Sequence, residues 1–558
     1  MEKPFAITLD PGSSRANHTG SWRVERPVYV DRMPPCNDAC AAGENVQQWL
    51  YHAEDGSYEA AWRKLMEDNP LPAVMGRVCF HPCETSCNRG MLDEAVGINA
   101  VERFLGDQGI ENGWRVEAGA DALGARVLVV GSGPAGLSAA YHLRRLGHAV
   151  AVFEAAALPG GMLRYGIPRY RLPREVLDAE VARIEAMGVE IHLGSRVGDV
   201  AEAMRSGGFD AAFVAIGAQL SKNAYVPAGD AIKVLGALAL FKSMERDNPP
   251  LLGRRVVVYG GGDTAMDAAR SARRLGATDA VVVYRRTRDR MPAHSSEVAD
   301  AIEEGVRMKW LSTLSGEPDG NHGALVVEKM ELDDDGFPQP TGETEELEAD
   351  ALVLALGQEA DLSLVASVPG VAVRDGALAV DGDMMTGSSG VFAGGDVAAP
   401  PAGGRVLADR TVTVAVGHGK RSARAIDAWL RHGSGALLAD EAVSERHPVA
   451  LFENLNTWYY ADAPRSEQPR LDLARRQSSF DEVTGGLDAS NALFEARRCL
   501  SCGNCFECDN CYGVCPDDAV RKLGAGMGYA FDYDYCKGCG VCAAECPCGA
   551  IVMEPEVI

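Results

Sequence analysis

The segment VLVVGSGPAGLSAA, residues 127–140, predicts an α/β fold for much of this chain. Its first four residues predict a short buried strand, and a helix follows the glycines. A second strand, at 149–153, ends at Glu154. Glycines between a strand and a helix let the backbone approach a pyrophosphate, and the later carboxylate takes a ribose hydroxyl pair. The residues that predict this dinucleotide site are Gly131, Gly133, Pro134, Ala135, Gly136 and Glu154.

A second fingerprint lies in VVVYGGGDTAMDAA, residues 256–269, again between a strand and a helix. The next strand ends in Arg285 and Arg286 instead of an acid. An arginine pair at this place suits a 2′-phosphate and favours NADP over NAD, although both side chains could simply be solvated surface. Two such folds in one chain indicate a flavin and a nicotinamide. The candidate loop residues are Gly260, Gly262, Asp263, Thr264 and Ala265.

A third signal is VFAGGDVA, residues 391–398, where a strand ends in glycines and an acid. Gly395 and Asp396 therefore fall at the carboxyl edge of a sheet, where ligands gather. The segment from Thr411 and Val412 to residue 425 predicts a helix whose N-terminus could face an anionic ring or phosphate.

The C-terminal sixty residues carry two copies of C-x2-C-x2-C-x3-C-P. This spacing is typical of a two-cluster bacterial ferredoxin, in which the fourth Cys of each run binds the other cluster. A zinc site fits the third Cys and the following Pro badly. One predicted [4Fe–4S] ligand set is Cys505, Cys508, Cys511 and Cys546, and the other is Cys536, Cys539, Cys542 and Cys515.

Five further cysteines lie near the other end of the chain, in a region of helical character. They are Cys36, Cys40, Cys79, Cys83 and Cys87. Five cysteines cannot complete two four-ligand clusters, so either one cluster is missing or ligands come from elsewhere.

Charge and composition exclude several classes. The 558 residues have a net charge of −25, which argues against nucleic acid and anionic membrane surfaces as partners. The first residues lack the basic and apolar regions of a signal peptide, and no apolar run reaches the ~18–20 residues of a membrane helix. Clustered cysteines without a signal peptide indicate metal ligands in a reducing compartment. We expect a cytoplasmic protein.

The order of motifs resembles the small subunit of glutamate synthase, the N-terminal half of dihydropyrimidine dehydrogenase and the large subunit of electron-bifurcating transhydrogenases. The matching landmarks are GRVC, CETSC, GSGPAG, PGGMLRYGIPRYRLP (159–173), GGGDTAMD, YRRTRDRMPA and VFAGGDV. The resemblance implies FAD at the first fingerprint, NADPH at the second and two [4Fe–4S] clusters in the N-terminal part. It also implies that the flavin is bordered by Gly160, Gly161, Gly166, Asp396, Thr411 and Val412.

The chain departs from this family in one respect. Family members usually open with a helix that leads into C-L-x-C, whereas here the corresponding segment, 478–502, lies near the C-terminus. We therefore predict that Cys499 and Cys502 join Cys36 and Cys87 around a third cluster. The alternative is that Cys499 and Cys502 bind nothing.

A fourth cluster would use Glu102, where relatives have Gln or Glu, and Cys548 would be spare. The alternative for Glu102 is an ordinary acid on a helix surface. The ligand set predicted for this cluster is Cys40, Cys79, Cys83 and Glu102.

The predicted fold is an α/β flavoprotein with two dinucleotide-binding domains, for FAD and for NADPH. It also has an N-terminal α-helical iron–sulfur domain and a C-terminal α+β ferredoxin-like domain. The predicted bounds are 1–120 for the helical domain, 121–250 and 356–432 for the two parts of the FAD domain, 251–355 for the NADPH domain, 433–498 for a connector with a helix that packs back on the N-terminal domain, and 499–558 for the ferredoxin-like domain.

The predicted function is electron transfer between NADPH and a low-potential protein, within a hetero-oligomeric complex. Candidate partners are a ferredoxin, the subunits of a 2-oxoacid oxidoreductase, or a glutamate synthase large subunit. Hydride transfer to a flavin needs no side-chain acid or base, so no catalytic side chain is predicted. Two further readings are a self-contained reductase, for which no substrate domain is evident, and a non-catalytic iron–sulfur scaffold.

Overall fold

A computed structural model describes residues 17–21, 23–120, 124–222, 232–246, 248–316, 323–400, 409–433 and 447–556. The start of the predicted helical domain, residues 1–16, and residues 434–446 of the predicted connector lie outside these ranges.

The first part of the chain is helical and packs around buried tryptophans. Trp49 and Trp62 are both fully buried, together with Leu65. Short, amphipathic helices separated by Gly and Pro suit a core that must leave room for cysteine-lined pockets. The helices are Pro35–Ala39, Val46–Glu54, Tyr58–Leu65, Pro72–Val78, Pro82–Thr85 and Ile98–Glu111, with a 3₁₀ turn at Asn88–Met91.

The first dinucleotide-binding domain is built on a parallel sheet, as its near-continuous apolar strands require. In spatial order, the strands described are Val391–Ala393, Ala211–Val214, Arg126–Val130, Ala149–Phe153 and Glu190–His192. Its helices are Pro134–Arg145, Met162–Tyr165, Arg174–Glu185, Val200–Gly207 and Val412–His432. The last of these packs along Pro134–Arg145, the helix that follows the first glycine motif.

The second dinucleotide-binding domain has its own parallel sheet. In spatial order, the strands described are Arg307–Trp310, Asp279–Tyr284, Arg255–Tyr259, Ala351–Leu354 and Lys233–Gly236. Its helices are Ala237–Glu245, Asp263–Arg274 and Ser295–Glu303, with a 3₁₀ turn at Arg288–Arg290. The strand at Lys233–Gly236 pairs with Ala351–Leu354, so this domain takes in residues before the predicted boundary at 251.

Small antiparallel and mixed sheets lie beside the two parallel sheets. A three-stranded sheet extends the second domain through Ser312–Leu314, Ala324–Leu332 and Pro338–Glu348. Leu220–Ser221 pairs with Gln358–Glu359 where the chain crosses between the domains. Near the first domain lie the strands Val373–Arg374, Ala377–Ala379 and Ala398–Ala399 and the 3₁₀ turns Leu362–Val365 and Gly395–Val397.

The C-terminal region returns to the front of the chain. Helix Ala489–Ala496 is capped by Asp488, whose carboxylate accepts from the Asn491 N–H at 2.8 Å, and it packs against Ile98–Glu111. This contact brings the helix before Cys499 against the helical part of the chain. The other elements are the 3₁₀ turns Phe452–Asn454 and Thr457–Tyr459, helices Leu473–Ser478, Asn510–Val514 and Val541–Ala544, and strands Val520–Lys522, Tyr529–Phe531 and Ile551–Pro555.

One strand lies outside its predicted domain. Glu25–Tyr29 pairs antiparallel with Ile551–Pro555, so the segment before the helical domain completes the ferredoxin-like fold. The predicted domain 1–120 therefore divides near residue 30. Local sequence did not indicate this pairing, because the partner strand is more than five hundred residues away.

Candidate functional site

The first glycine loop leaves room for a pyrophosphate. A side chain at Gly131, where φ is +103°, would place its Cβ 2.5 Å from the Ala215 carbonyl oxygen. A Cβ at Gly136 would lie 1.9 Å from the Gly131 oxygen, so strand and helix approach too closely for any side chain. At Gly133, in contrast, a Cβ would meet nothing nearer than the Gly161 Cα at 4.0 Å. The middle glycine thus faces open space, as a pyrophosphate site requires.

Glu154 is held beside this loop, as its predicted ribose role requires. Its carboxylate accepts from the Ser132 N–H at 2.9 Å, the Ser132 hydroxyl at 2.7 Å and the Ala156 N–H at 2.7 Å. Pro134 and Ala135 start the helix directly after the loop, and Ala135 is buried. These bonds fix the direction of the carboxylate before any ligand arrives.

Around the predicted flavin site, several segments converge on the first loop. Gly161, at φ +52°, lies so close that a Cβ there would be 2.7 Å from the Gly133 Cα. The Gly395 N–H donates to His418 Nδ1 at 3.1 Å, and burial raises the pKa of the neighbouring Asp396 carboxyl. Thr411 caps the following helix, because its hydroxyl accepts from the Val414 N–H at 3.2 Å.

Two predicted flavin-bordering residues have less distinctive surroundings. Gly166 ends the short helix Met162–Tyr165, and its N–H donates to the Met162 carbonyl at 2.9 Å. Val412 is half-buried at the first position of its helix. Their contact with a flavin stays a prediction.

The second glycine loop has the same construction. A Cβ at Gly260 would lie 2.3 Å from the Ala355 carbonyl oxygen, whereas a Cβ at Gly262 would meet nothing within 4 Å. Thr264 and the buried Ala265 follow in the first turn of the helix. The Asp263 carboxylate accepts from both the His294 N–H and His294 Nδ1, each at 2.9 Å.

His294 also links this loop to the iron–sulfur domain. Its ring stacks nearly parallel on Phe80, the residue after Cys79. Phe80 and His294 are more than two hundred residues apart in the chain, so their spacing gives no sign of this contact. The stack places the second dinucleotide loop directly against the helical domain.

Arg285 and Arg286 stand at the carboxyl end of the Asp279–Tyr284 strand, as predicted. Arg285 is exposed and Arg286 is half-buried. In the part of the chain that the structure describes, the buried Arg286 Nε has no hydrogen-bond partner. A buried donor without a partner is costly, and a phosphate oxygen would satisfy it. The position therefore fits the 2′-phosphate of NADP(H).

One cysteine pocket joins the two ends of the chain. It is walled by apolar residues that include Leu50, Val96 and Ile98. Its four thiols fit the donor set of a [4Fe–4S] cluster. The cysteines that line it are Cys36, Cys87, Cys499 and Cys502.

The thiols of this pocket lie within electrostatic reach of one another. Burial raises the pKa of Cys36, and the nearby thiols of Cys499, Cys87 and Cys502 raise it further. Neighbouring thiolates repel one another in a low-dielectric site unless a cation holds them together. An iron cluster would supply that positive charge.

A second set gathers around Glu102. Burial raises the pKa of Cys83, and Cys40, Cys79 and Glu102 raise it further. Glu102 has 5 % of its surface exposed, so it is not the surface acid of the alternative interpretation. Its carboxylate accepts from the Asn69 amide at 2.8 Å. Burial also raises the pKa of Glu102, and the nearby carboxylates of Glu44 and Glu180 raise it further.

The ferredoxin-like module brings together both remaining sets. Cys515, Cys536, Cys539 and Cys542 line one pocket. In the other set, burial and then the thiols of Cys508, Cys505 and Cys546 raise the pKa of Cys511 to about 11, although a hydrogen bond from Tyr29 opposes this shift. Cys548 is buried with its Sγ 3.7 Å from the Cys546 Sγ.

No group of three His, Cys, Asp or Glu side chains is placed to hold a single metal ion, within the ranges described above. A [4Fe–4S] cluster is a larger body than one ion. Ligation of clusters by these four sets stays a prediction.

Buried hydrogen bonds and ion pairs, which the sequence did not predict, join the two ends of the chain. The fully buried Arg498 donates to the Ala95 carbonyl at 3.1 Å and to the Asp93 carboxylate at 3.2 Å. Three residues earlier in the chain, the Glu495 carboxylate accepts a hydrogen bond from the Gly97 N–H at 2.6 Å. Because these partners lie next to the pocket that contains Cys499, the contacts of Arg498 and Glu495 help to position that pocket.

A second buried ionic cluster joins the two dinucleotide-binding domains to the connector. Arg171 of the first domain pairs with Asp267 of the second at 2.8 Å. Glu304 accepts from Arg274 at 2.6 Å and from Arg270 at 2.9 Å, and Arg476 of the connector adds a contact at 3.3 Å. This cluster fixes how the two dinucleotide sites face each other.

The chain belongs to the pyridine nucleotide-disulphide oxidoreductase family, whose model matches residues 125–419. A model of dihydropyrimidine dehydrogenase domain II, 4Fe-4S cluster, matches residues 25–114, and a 4Fe-4S binding domain matches 529–552. The protein is thus an oxidoreductase with a flavin, NADP and iron–sulfur clusters, as predicted.

Relatives with established names agree with this assignment. The chain is 38 % identical over 511 residues to NADP(+)-dependent formate dehydrogenase subunit beta of Moorella thermoacetica, covering 84 % of this chain and 70 % of that protein. It is 32 % identical over 529 residues to NADPH-Fe(3+) oxidoreductase subunit beta of Geobacter sulfurreducens, covering 86 % and 77 %. It is also 32 % identical over 427 residues to the glutamate synthase [NADPH] small chain of Escherichia coli, covering 71 % and 89 %. The predicted resemblance to glutamate synthase small subunits is therefore confirmed.

None of the helices in the described ranges is long and apolar enough to cross a membrane.

Proposed function

We propose that this chain is an electron-transfer subunit that passes electrons between NADPH and a low-potential protein partner. A bound FAD accepts a hydride and releases single electrons, and [4Fe–4S] clusters carry electrons singly. The observation that supports this role is the succession of ligand sets from the dinucleotide-binding domains to the ferredoxin-like module.

Adjacent ligand sets share structural elements. Cys36 and Cys40, assigned to different sets, lie in the helix Pro35–Ala39 and at its C-cap. Burial raises the pKa of Tyr460, and thiols from two sets, among them Cys499 and Cys508, raise it further. Tyr460 therefore stands between the pocket that joins the chain ends and the ferredoxin-like module.

The last two sets are also neighbours. Burial raises the pKa of Cys542 to about 12, aided by the thiols of its own set and by Cys511 of the other. Cys539 of the final set is exposed. A partner protein can thus approach the end of the series.

The proposed number of clusters is four. Fifteen cysteines and Glu102 would supply the sixteen ligands, and the proposal is supported by the two cysteine-lined pockets and by the mutual effects of the other thiols on their pKa values. In this proposal, the thiolates balance the iron charge and the apolar walls exclude water.

The proposed partner is a separate protein. The formate dehydrogenase and Fe(3+) oxidoreductase relatives are both named as beta subunits. A ferredoxin or a 2-oxoacid oxidoreductase suits the ferredoxin-like module, and the first relative adds another subunit of a formate dehydrogenase as a candidate. The glutamate synthase alternative is supported by likeness to that small chain.

The test is anaerobic reduction of a purified bacterial ferredoxin by the reconstituted chain and NADPH, followed at visible wavelengths. We expect NADPH-dependent reduction of ferredoxin and of a viologen dye. A FAD-loaded, iron-loaded chain that oxidises no NADPH with either acceptor contradicts the proposal. Identification of the protein that co-purifies from the native host then distinguishes the partner candidates, including the glutamate synthase large subunit.

Replacing Arg286 by Ala is expected to raise the KM for NADPH about tenfold to hundredfold, because a charge-assisted hydrogen bond contributes about 1.5–3 kcal/mol. The KM for NADH should change little. Arg307→Ala is the matched control, since Arg307 lies exposed on the neighbouring strand and pairs with Asp279. Equal loss with NADPH and NADH in steady-state assays contradicts a 2′-phosphate role for Arg286.

A further inference from the structure

A side chain of the first dinucleotide-binding domain contacts a candidate cluster ligand. The Thr413 hydroxyl donates to the Cys79 Sγ at 3.1 Å, although the two residues are 334 positions apart. Thr413 has 6 % of its surface exposed. The Cys79 sulfur also accepts from the His81 N–H at 3.2 Å, a bond within its own loop. Of these two hydrogen bonds to the Cys79 sulfur, the one from Thr413 therefore comes from another domain.

The position of this hydroxyl is set by close helix packing. Helix Val412–His432 lies so near the segment after Cys40 that a Cβ at Gly417 would stand 2.1 Å from the Ala41 carbonyl oxygen. Lys420, one turn later, donates to the Gly43 carbonyl at 2.7 Å. These contacts fix the helix against the cluster domain, so the direction of the Thr413 hydroxyl follows from the backbone.

The hydroxyl of Thr413 is not needed to cap its helix. Thr411 performs that task by accepting from the Val414 N–H at 3.2 Å. Thr413, in the first turn, is consequently available to bond outward. Its carrier helix begins at the predicted flavin site, and its acceptor belongs to the set of Cys40, Cys79, Cys83 and Glu102.

We propose that Thr413 is a positioning residue that sets the reduction potential of the cluster held by this set. The inference rests on the cluster assignment in the proposed function. A hydrogen bond to a ligand sulfur disperses negative charge, and the reduced cluster carries one more electron than the oxidised cluster. The bond therefore stabilises the reduced form and raises the potential. The cluster beside the flavin domain becomes the better electron acceptor.

The test compares Thr413→Val, which keeps the shape and removes the hydroxyl, with Thr413→Ser, which keeps the donor. Both are measured in the full-length, anaerobically reconstituted protein by redox titration monitored by electron paramagnetic resonance. For Thr413→Val, we expect the ratio of reduced to oxidised cluster at a fixed potential to fall about tenfold, which is about 59 mV for one electron. Thr413→Ser should stay close to the wild type.

Thr386→Val is the matched control for loss of a buried threonine hydroxyl. Thr386 is equally buried, and its hydroxyl donates to the Val391 carbonyl at 2.8 Å, away from the cysteine sets. In the Thr386→Val protein, the reduction potential of the cluster should equal that in the wild type. A Thr413→Val protein with an unchanged potential overturns the inference.

If Thr413→Val fails to load iron, Thr413→Ala is compared with Thr413→Ser, and equal potentials in those two overturn the inference as well. A wild-type protein that lacks the signal of this cluster contradicts the proposed function instead. The two failures are thus distinguishable.

Discussion

Replacing Cys499 by Ala is expected to remove about four irons from the reconstituted protein, because each [4Fe–4S] cluster holds that number. The loss should lower the content from about sixteen irons per chain to about twelve. Cys499 lines the same pocket as Cys36, Cys87 and Cys502, so its replacement leaves this predicted cluster one ligand short. Electron delivery from NADPH to ferredoxin should fall with the iron, since this set connects the helical domain with the ferredoxin-like module.

Cys548→Ala is the matched control for that experiment. Cys548 is a buried cysteine of the same region, and it is the cysteine left over from the ligand assignment. Its removal should leave iron and sulfide content unchanged. Equal iron in Cys499→Ala and the wild type, or about eight irons in the wild type, contradicts the four-cluster proposal.

Replacing Glu304 by Gln is expected to destabilise the protein by about 3–5 kcal/mol, because it removes the charge that pairs with the buried Arg274 and weakens the pairing of Arg270. Glu304 is fully buried and accepts from Arg274 at 2.6 Å and Arg270 at 2.9 Å. The melting temperature should fall by about 3–4 °C in thermal unfolding followed by circular dichroism, because the entropy of unfolding grows with chain length.

The neighbouring acid Glu303 provides the control for this variant. Its side chain is 52 % exposed and pairs with Arg476 at 2.8 Å. Glu303→Gln should cost less than about 1 kcal/mol, because solvent screens an exposed ion pair. If Glu303→Gln and Glu304→Gln destabilise the protein equally, the buried ion pairs of Glu304 do not contribute more to stability than the exposed ion pair of Glu303.

The same carboxylate predicts a dependence of stability on pH. Burial alone would raise the pKa of Glu304, but hydrogen bonds from Arg274 and Arg270 outweigh it and lower the pKa to about 2. A depressed pKa contributes stability that is complete above the ordinary value near 4.5 and is lost as the pH falls toward 2. The difference in melting temperature between the wild type and Glu304→Gln should therefore narrow as the pH falls from 5 to 3. A constant difference over this range contradicts the low pKa.

These buried ion pairs also mark a limit of sequence reasoning. Arg171 and Asp267 lie within motifs that the sequence identifies, yet both motifs were interpreted only through their ligands. The structure pairs the two side chains across a domain boundary at 2.8 Å. Pairing of this kind depends on how whole domains pack, which residue spacing along the chain does not encode.

The glycine loops and the ferredoxin cysteines could be predicted from the sequence, because each depends on local geometry. A positive φ at Gly131 and the short spacing from Cys536 to Cys542 are properties of a few consecutive residues. The helix that leads into Cys499 could also be predicted, because its motif resembles the family's motif although it lies at a different place in the chain.

Tertiary structure alone decided how the ends of the chain combine. It paired Glu25–Tyr29 with Ile551–Pro555, buried Arg498 against Asp93, and placed the Thr413 hydroxyl on Cys79. Each contact joins residues hundreds of positions apart. The free energy that selects such contacts comes from burying two distant surfaces together, and neither surface alone carries a signal of its partner.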